Sequence, residues 1–325
     1  TQSFYRFGLE KFLPHSLRLI AGPGCPVCVS TQEYIDSAIQ LAKQKDIIIL
    51  TFGDMLHIPG SKSTLEKERA RFGNVYVAYS VLNSIDVAKK NPDKKVIFLA
   101  VGFETTAPTI ALSIMLAKKE KLKNLFFLSS LKLIPPAMDY LVQDKRLNLD
   151  GFLCPGHVSA IIGTKPYEFI PKRYAIPCCI TGFEPLDILE AIFILLQQIT
   201  KEKPAVANQY ERVVTRNGNL KAQKIMNSVF KKSSAFWRGL GKIPKSGLKI
   251  KDEFSKFDAE RVFRISDKRY AISDKQRKCK CGDVLKGLIS PAECPLFSKV
   301  CSPSNPIGPC MVTSEGACNV YYKYH

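Results

Sequence analysis

The run KVIFLAV at residues 95–101, followed at once by GFETTAP at 102–108 and by a helical pattern over 109–119, decides the fold. Six apolar residues in a row, bounded by a lysine and a glycine, are too uniform for a strand with one wet face. They fit a strand buried on both faces, the kind that parallel sheets use. The polar turn and the helix after it complete a strand–turn–helix unit. Outward from this unit the texture repeats. Apolar runs recur at 46–51 (DIIILT), 74–78 (NVYVA), 124–129 (NLFFLS), 151–154 (GFLC) and 175–181 (AIPCCIT), each bounded by polar or Gly/Pro punctuation. Helical patterns over 31–43, 81–90 and 185–198 lie between them.

Such alternation predicts an α/β chain with parallel sheets covered by helices. At least six strands suit one large sheet or two smaller ones, with the polar stretch 118–124 as a seam. The expected organisation is two parallel-sheet α/β units flanking a cleft, over residues 1–120 and 121–255, plus a small cysteine-rich domain over 256–325. Within the second unit, 209–230 reads as a long helix interrupted at Asn217 and Gly218, and WRGLGKIPKSGL at 237–248 reads as a basic loop. The last fifty residues have almost no periodicity. A segment that cannot build a large apolar core needs a metal or disulfides to hold it.

Composition narrows the classes. With 325 residues, 46% of them hydrophobic and 24% charged, the chain reads as globular and rich enough in apolar residues to exclude disorder. No apolar run reaches the roughly 18 residues of a membrane span, and the N-terminus does not read as a signal peptide, so the expected location is cytoplasmic. The net charge of +19 comes mostly from scattered lysines. That points to a solvated surface or an acidic protein partner, and away from nucleic acid.

Eleven cysteines in such a chain read as metal ligands or redox thiols before disulfides. Cys25 and Cys28 form a CxxC pair in GPGCPVC at 22–28, with glycines at 22 and 24 to let the loop change shape. Ser30 and Glu33 read as a capping box, so a helix starts just after the pair and its positive end lowers a thiol pKa. A structural zinc half-site or inert loop thiols are the alternatives. Six more, Cys279, Cys281, Cys294, Cys301, Cys310 and Cys318, lie within 40 residues. Their irregular spacing, with prolines and glycines alongside, suits an iron–sulfur cluster, with zinc or disulfides as the other readings.

Two strand-end motifs remain. Glu104, in GFETTAP, is placed either for a ligand contact or, like Thr105, to cap the next helix. His157, in PGHVS at 155–159, is either an acid–base group or ligand, or a hydrogen-bonded structural residue. Cys154, Cys178 and Cys179 sit in apolar runs as small buried hydrophobes. No Walker A, GxGxxG or GxSxG sequence supports a kinase, a dinucleotide enzyme or a serine hydrolase.

Taken together, GPGCPVC at 22–28, TFGDMLHIPGS at 51–61, GFETTAP at 102–108, PGHVSAIIG at 155–163, WRGLGKIPKSGL at 237–248 and the cysteine-rich ending at 279–324 closely resemble the HypD family over essentially the whole chain. These are maturation factors of nickel–iron hydrogenases. The resemblance implies a metallochaperone-like assembly scaffold rather than a turnover enzyme. It holds iron with a small HypC-like chaperone while cyanide, delivered by a HypE-like donor, and carbon monoxide are added. It further implies that Cys25 and Cys28 are a redox pair and that Glu104 and His157 line the cleft. A 4Fe–4S cluster is expected on Cys281, Cys294, Cys301 and Cys318, leaving Cys279 and Cys310 spare. By the resemblance the sequence is expected to be N-terminally truncated relative to the family. The family's upstream EVCGGHT motif carries the iron-anchoring cysteine, and Thr1 aligns with its last residue. A cluster-dependent thiol–disulfide oxidoreductase acting on another substrate is the alternative function.

Overall fold

The computed structural model describes residues 1–265 and 278–325, so part of the expected domain 256–325 lies outside the described residues. The strands are β1 (Ile47–Thr51), β2 (Val75–Val77), β3 (Lys95–Gly102), β4 (Leu125–Leu131), β5 (Phe152–Pro155), β6 (Cys178–Thr181), β7 (Val206–Asn208), β8 (Phe230–Trp237) and β9 (Gly241–Ile250). Helices are numbered α1 (Gln2–Arg6), α2 (Gln32–Ala42), α3 (Leu65–Phe72), α4 (Asn83–Lys90), α5 (Ala107–Lys119), α6 (Ile134–Val142), α7 (Gly156–Ile162), α8 (Phe169–Tyr174), α9 (Pro185–Thr200) and α10 (Leu220–Val229). The expected α/β architecture with parallel sheets is what forms.

The β3 strand is buried along its whole length after Lys95, and the period of two shows why. Ile97, Leu99 and Val101 enter one core with α2 and α6. Val96, Phe98 and Ala100 enter the other with α4 and α5. The β1 strand splits the same way, Ile47 and Ile49 against Ile48 and Leu50. Each fully buried side chain of this size contributes about 1.5–3 kcal/mol, and the strand has no polar face to lose. The resulting sheet has the order β2-β1-β3-β4, all parallel.

The seam expected at 118–124 is not where the sheets part. The β4 strand, which follows it, pairs with β3 over seven residues, from Val96 opposite Leu125 to Gly102 opposite Leu131. A second parallel sheet, β5-β6-β7, begins only after α6. Its third strand is three residues long, too short to leave a sequence pattern.

Two expectations in the later chain are corrected. The helix expected over 209–230 is confined to α10, whose N-cap Asn219 accepts a hydrogen bond from the Ala222 N–H at 3.0 Å. The Asn side chain competes for backbone donors and so starts a helix instead of continuing one. The basic loop expected at 237–248 is an antiparallel hairpin, β8 with β9. Its proline and glycines disguise a strand whose Leu248 and Ile250 enter the core beside β4. The hairpin is tied to the first sheet by the Leu133 N–H, which donates to the Ser246 carbonyl at 2.9 Å. Among the described residues, no helix is long and apolar enough to cross a membrane.

Candidate functional site

The CxxC segment packs in the core between α2 and the C-terminal segment, with Cys25 and Cys28 both buried. The helix after it starts one residue later than expected. Thr31 is the N-cap of α2, its hydroxyl accepting from the Tyr34 N–H at 3.3 Å. Ser30 is thereby released from capping, and its hydroxyl donates back to the Pro26 carbonyl at 3.0 Å, closing the CxxC turn on itself. Gly22 and Gly24 are outside the positive-φ region, and a Cβ on either would meet nothing within 4 Å. The loop therefore does not require glycine there in this conformation.

The two thiols are unequal. Cys25 Sγ receives the Cys28 backbone N–H at 3.2 Å and lies 3.4 Å from the Thr313 hydroxyl. Its pKa is lowered, first by the Cys28 thiol acting as donor, then by these two groups, against the opposing effects of burial and of Glu315. Hydrogen bonding to the charged form is the leading cause of the shift. Cys28 is driven well above the ordinary thiol range, chiefly by burial. Its sulfur faces the Pro309 carbonyl at 3.8 Å and the Thr313 hydroxyl at 3.9 Å.

The C-terminal cysteines come together. Cys279, Cys281, Cys294, Cys301, Cys310 and Cys318 all line one small pocket, closed by Leu296, Phe297, Gly308 and Met311. No three His, Cys, Asp or Glu side chains among the described residues converge as ligands of a single ion. The thiols instead ring the space. The Cys301 sulfur accepts the Ile307 N–H at 3.4 Å. A Cβ on Gly308 would sit 2.6 Å from Cys279 Sγ and 3.6 Å from Cys281 Sγ, so only glycine leaves this wall open.

The two cysteine groups meet at Cys310. Fully buried, its thiol interacts with Cys28 on one side and with Cys281 and Cys318 on the other, and its pKa is raised first by the Cys28 contact. The hairpin supports the junction from outside. Gly239, at φ 78°, has no room for a Cβ, which would lie 2.3 Å from the Gly282 Cα. Arg238 donates its backbone N–H to the Val29 carbonyl at 2.9 Å and its guanidinium to Gln32. Its charge also favours the thiolates of Cys279 and Cys281.

Glu104 and His157 are held by other partners. Glu104 is 1% exposed, and its Oε1 accepts the Ile134 N–H at 2.9 Å, so it caps α6 rather than the helix that follows it in sequence. Its Oε2 has no hydrogen-bond partner among the described residues, and burial pushes its pKa up to about 7. His157, in the first turn of α7, is exposed and lies against the Phe183 ring at 4.0 Å. No hydrogen bond or ion pair among the described residues joins either of them to Cys25. Cys154, Cys178 and Cys179 are fully buried, as their apolar runs predict.

The sequence reading missed Thr313 and the role of Cys310, which it set aside as spare. No spacing rule marks a threonine in PCMVTSEGAC as a thiol partner. Only the folded C-terminal segment brings it to Cys25.

Over residues 1–325 the chain matches the family model described as HypD, Hydrogenase formation hypA family. It is similar to the hydrogenase maturation factor HypD2 of Bradyrhizobium diazoefficiens, at 43% identity covering 100% of this chain and 87% of that protein. The hydrogenase maturation factors HypD of Cupriavidus necator, 41% identical with 100% of this chain and 87% of that protein covered, and of Escherichia coli, 39% identical with 100% and 86% covered, are similar as well. With matches of this extent and identity, the chain belongs to the HypD family of hydrogenase maturation factors.

Proposed function

We propose that this chain is an assembly scaffold for the metal centre of nickel–iron hydrogenases. An iron atom is its cargo, held with a HypC-like chaperone while a HypE-like donor supplies cyanide and carbon monoxide is added. The observation that carries the reading is the continuity of sulfurs. Cys25 and Cys28 touch the six-cysteine pocket through Cys310 and Thr313, although some 280 residues separate them in sequence.

Cys25 is the nucleophilic thiol of the pair, because three donors favour its thiolate. Cys28, buried and held protonated, is the resolving thiol and the local proton store. Glu104, with its pKa near neutrality and an Oε2 that has no partner among the described residues, is able to take up or release a proton at working pH.

The pocket fits a cysteine-bound cluster. Its walls are sulfur and apolar carbon, a backbone N–H points at Cys301 Sγ, and Gly308 keeps one wall clear. Cys281, Cys294, Cys301 and Cys318 would hold a 4Fe–4S cluster, which supplies single electrons when bound. The lowered pKa of Cys25 also favours a second reading, a thiol–disulfide oxidoreductase acting on another substrate.

The test is anaerobic purification of the full-length protein, followed by iron and sulfide analysis and by copurification with a small partner. About four irons and four sulfides per chain are expected of such a cluster. Stoichiometric zinc without sulfide overturns the cluster assignment. Turnover on a generic disulfide with no maturation partner bound favours the oxidoreductase.

A further inference from the structure

Lys132 is a buried cation with no counter-ion among the described residues. It directly follows β4, is 4% exposed, and forms no ion pair with any carboxylate among the described residues. Burial alone lowers its pKa to about 8, so it remains largely charged at neutrality. A lone buried ammonium is costly, and it persists where its charge is used.

Its surroundings show where the charge is directed. Nζ donates to the Ser130 hydroxyl at 3.2 Å and lies 5.9 Å from the centre of the Trp237 ring. Ser130 Oγ is 3.4 Å from Ser30 Oγ, and Ser30 Oγ donates to the Pro26 carbonyl. Counting donors fixes the direction of every bond. The Ser30 proton is committed to Pro26, so Ser130 donates to Ser30, and the Ser130 lone pairs are left for the lysine. All three hydrogen bonds point the same way, from the cation into the peptide between Cys25 and Cys28. Such an aligned chain polarises along its length in a low-dielectric interior. Both serines and the lysine are buried, so water does not screen it.

We propose that Lys132 is a positioning residue for the Cys25–Cys28 pair, holding the CxxC turn through Ser130 and Ser30 and favouring the reduced, thiolate-bearing state over the disulfide. The proposal rests on the redox reading of this pair and adds the residue that sets its poise. Reduction by glutathione breaks the Cys25–Cys28 sulfur–sulfur bond. Two glutathione thiols join as glutathione disulfide, giving up two electrons and two protons. One proton ends on Cys28 Sγ, the other is released to solvent, and Cys25 remains as thiolate. The disulfide is neutral and the product carries a negative charge, so a cation wired to the turn raises the reduction potential.

The experiment is a glutathione redox titration of the cluster-loaded full-length protein, following the Cys25–Cys28 peptide by alkylation and mass spectrometry. Lys132→Met should shift the dithiol–disulfide equilibrium about fivefold toward disulfide, about 20 mV for a two-electron couple. Lys132→Arg should restore it to within twofold. Ser130→Ala, which keeps the charge but cuts the chain, should shift it in the same direction as Lys132→Met, and it carries the test if Lys132→Met does not fold. A wild-type pair that cycles while Lys132→Met and Ser130→Ala leave the equilibrium within twofold overturns the role of Lys132 and leaves the redox pair standing. A wild-type pair that never forms a disulfide overturns the redox reading itself.

Discussion

Thr313→Val removes a hydroxyl that reaches both sulfurs of the CxxC pair, at 3.4 Å from Cys25 and 3.9 Å from Cys28. The shape of the side chain is nearly kept, so the change is chiefly the loss of a donor. A hydrogen bond to a charged acceptor contributes about 1.5–3 kcal/mol. The Cys25 contact has ordinary sulfur geometry and the Cys28 contact is long, so the lower end applies, about 1.5 kcal/mol. At 1.36 kcal/mol per pK unit, the Cys25 pKa should rise by about one unit. The sign follows from the hydroxyl favouring the thiolate: without it the thiol holds its proton to higher pH. The assay is the rate of iodoacetamide alkylation at Cys25 against pH, read by fragment mass spectrometry. Slow access to a buried sulfur scales the rate but not the midpoint. A midpoint that stays within about 0.3 pH units, or moves down, refutes the assignment of Thr313 as a thiolate donor.

Three further outcomes are expected. Phe98→Ala, at a fully buried position of β3, should cost about 3–5 kcal/mol in urea unfolding, and a loss below 1 kcal/mol would contradict burial of both strand faces. Asp187 accepts the Arg212 guanidinium at 2.8 and 2.6 Å and Gln209 at 2.9 Å, and its pKa falls to about 2, first because of Arg212. A depressed carboxyl stabilises the fold above its unfolded pKa and loses that contribution as pH falls through the folded one. Asp187→Asn should therefore lower Tm at pH 7, with the gap to wild type closing between about pH 4 and pH 2; a gap independent of pH would contradict the ion pair. Gly308→Ala should keep the fold, because the thiol it meets can rotate, but should at least halve the iron bound per chain; full iron content would show that the glycine wall is dispensable.

Much of the α/β frame is written locally, and much of the site is not. The β3 run is legible because both faces are buried, so every residue after Lys95 reports the same environment. The hairpin at 230–250 is not legible, because its three glycines and Pro244 imitate a loop and its partner, the end of β4, is about a hundred residues away. The CxxC pair is recognised from its spelling and turns out to be asymmetric, first because the Cys28 thiol donates to Cys25, with Thr313 adding to it, and because Cys28 is itself the more deeply buried sulfur. The capping signal at Ser30 is displaced by one residue, since Thr31 serves the helix equally well and frees Ser30 to bind Pro26. Glu104 caps a helix, but one thirty residues downstream of it rather than its immediate neighbour. The hairpin and the Glu104 cap depend on contacts between distant segments, which periodicity and spacing do not encode.

The central claim is that the Cys25–Cys28 thiols serve hydrogenase maturation. Complementation of a strain lacking its own HypD-family protein tests it most directly, using the full-length protein with Cys25→Ser and Cys28→Ser together. The account predicts normal accumulation of the variant, an intact complement of iron and sulfide in the C-terminal pocket, and loss of nickel–iron hydrogenase activity. Full hydrogenase activity from the double variant would contradict it.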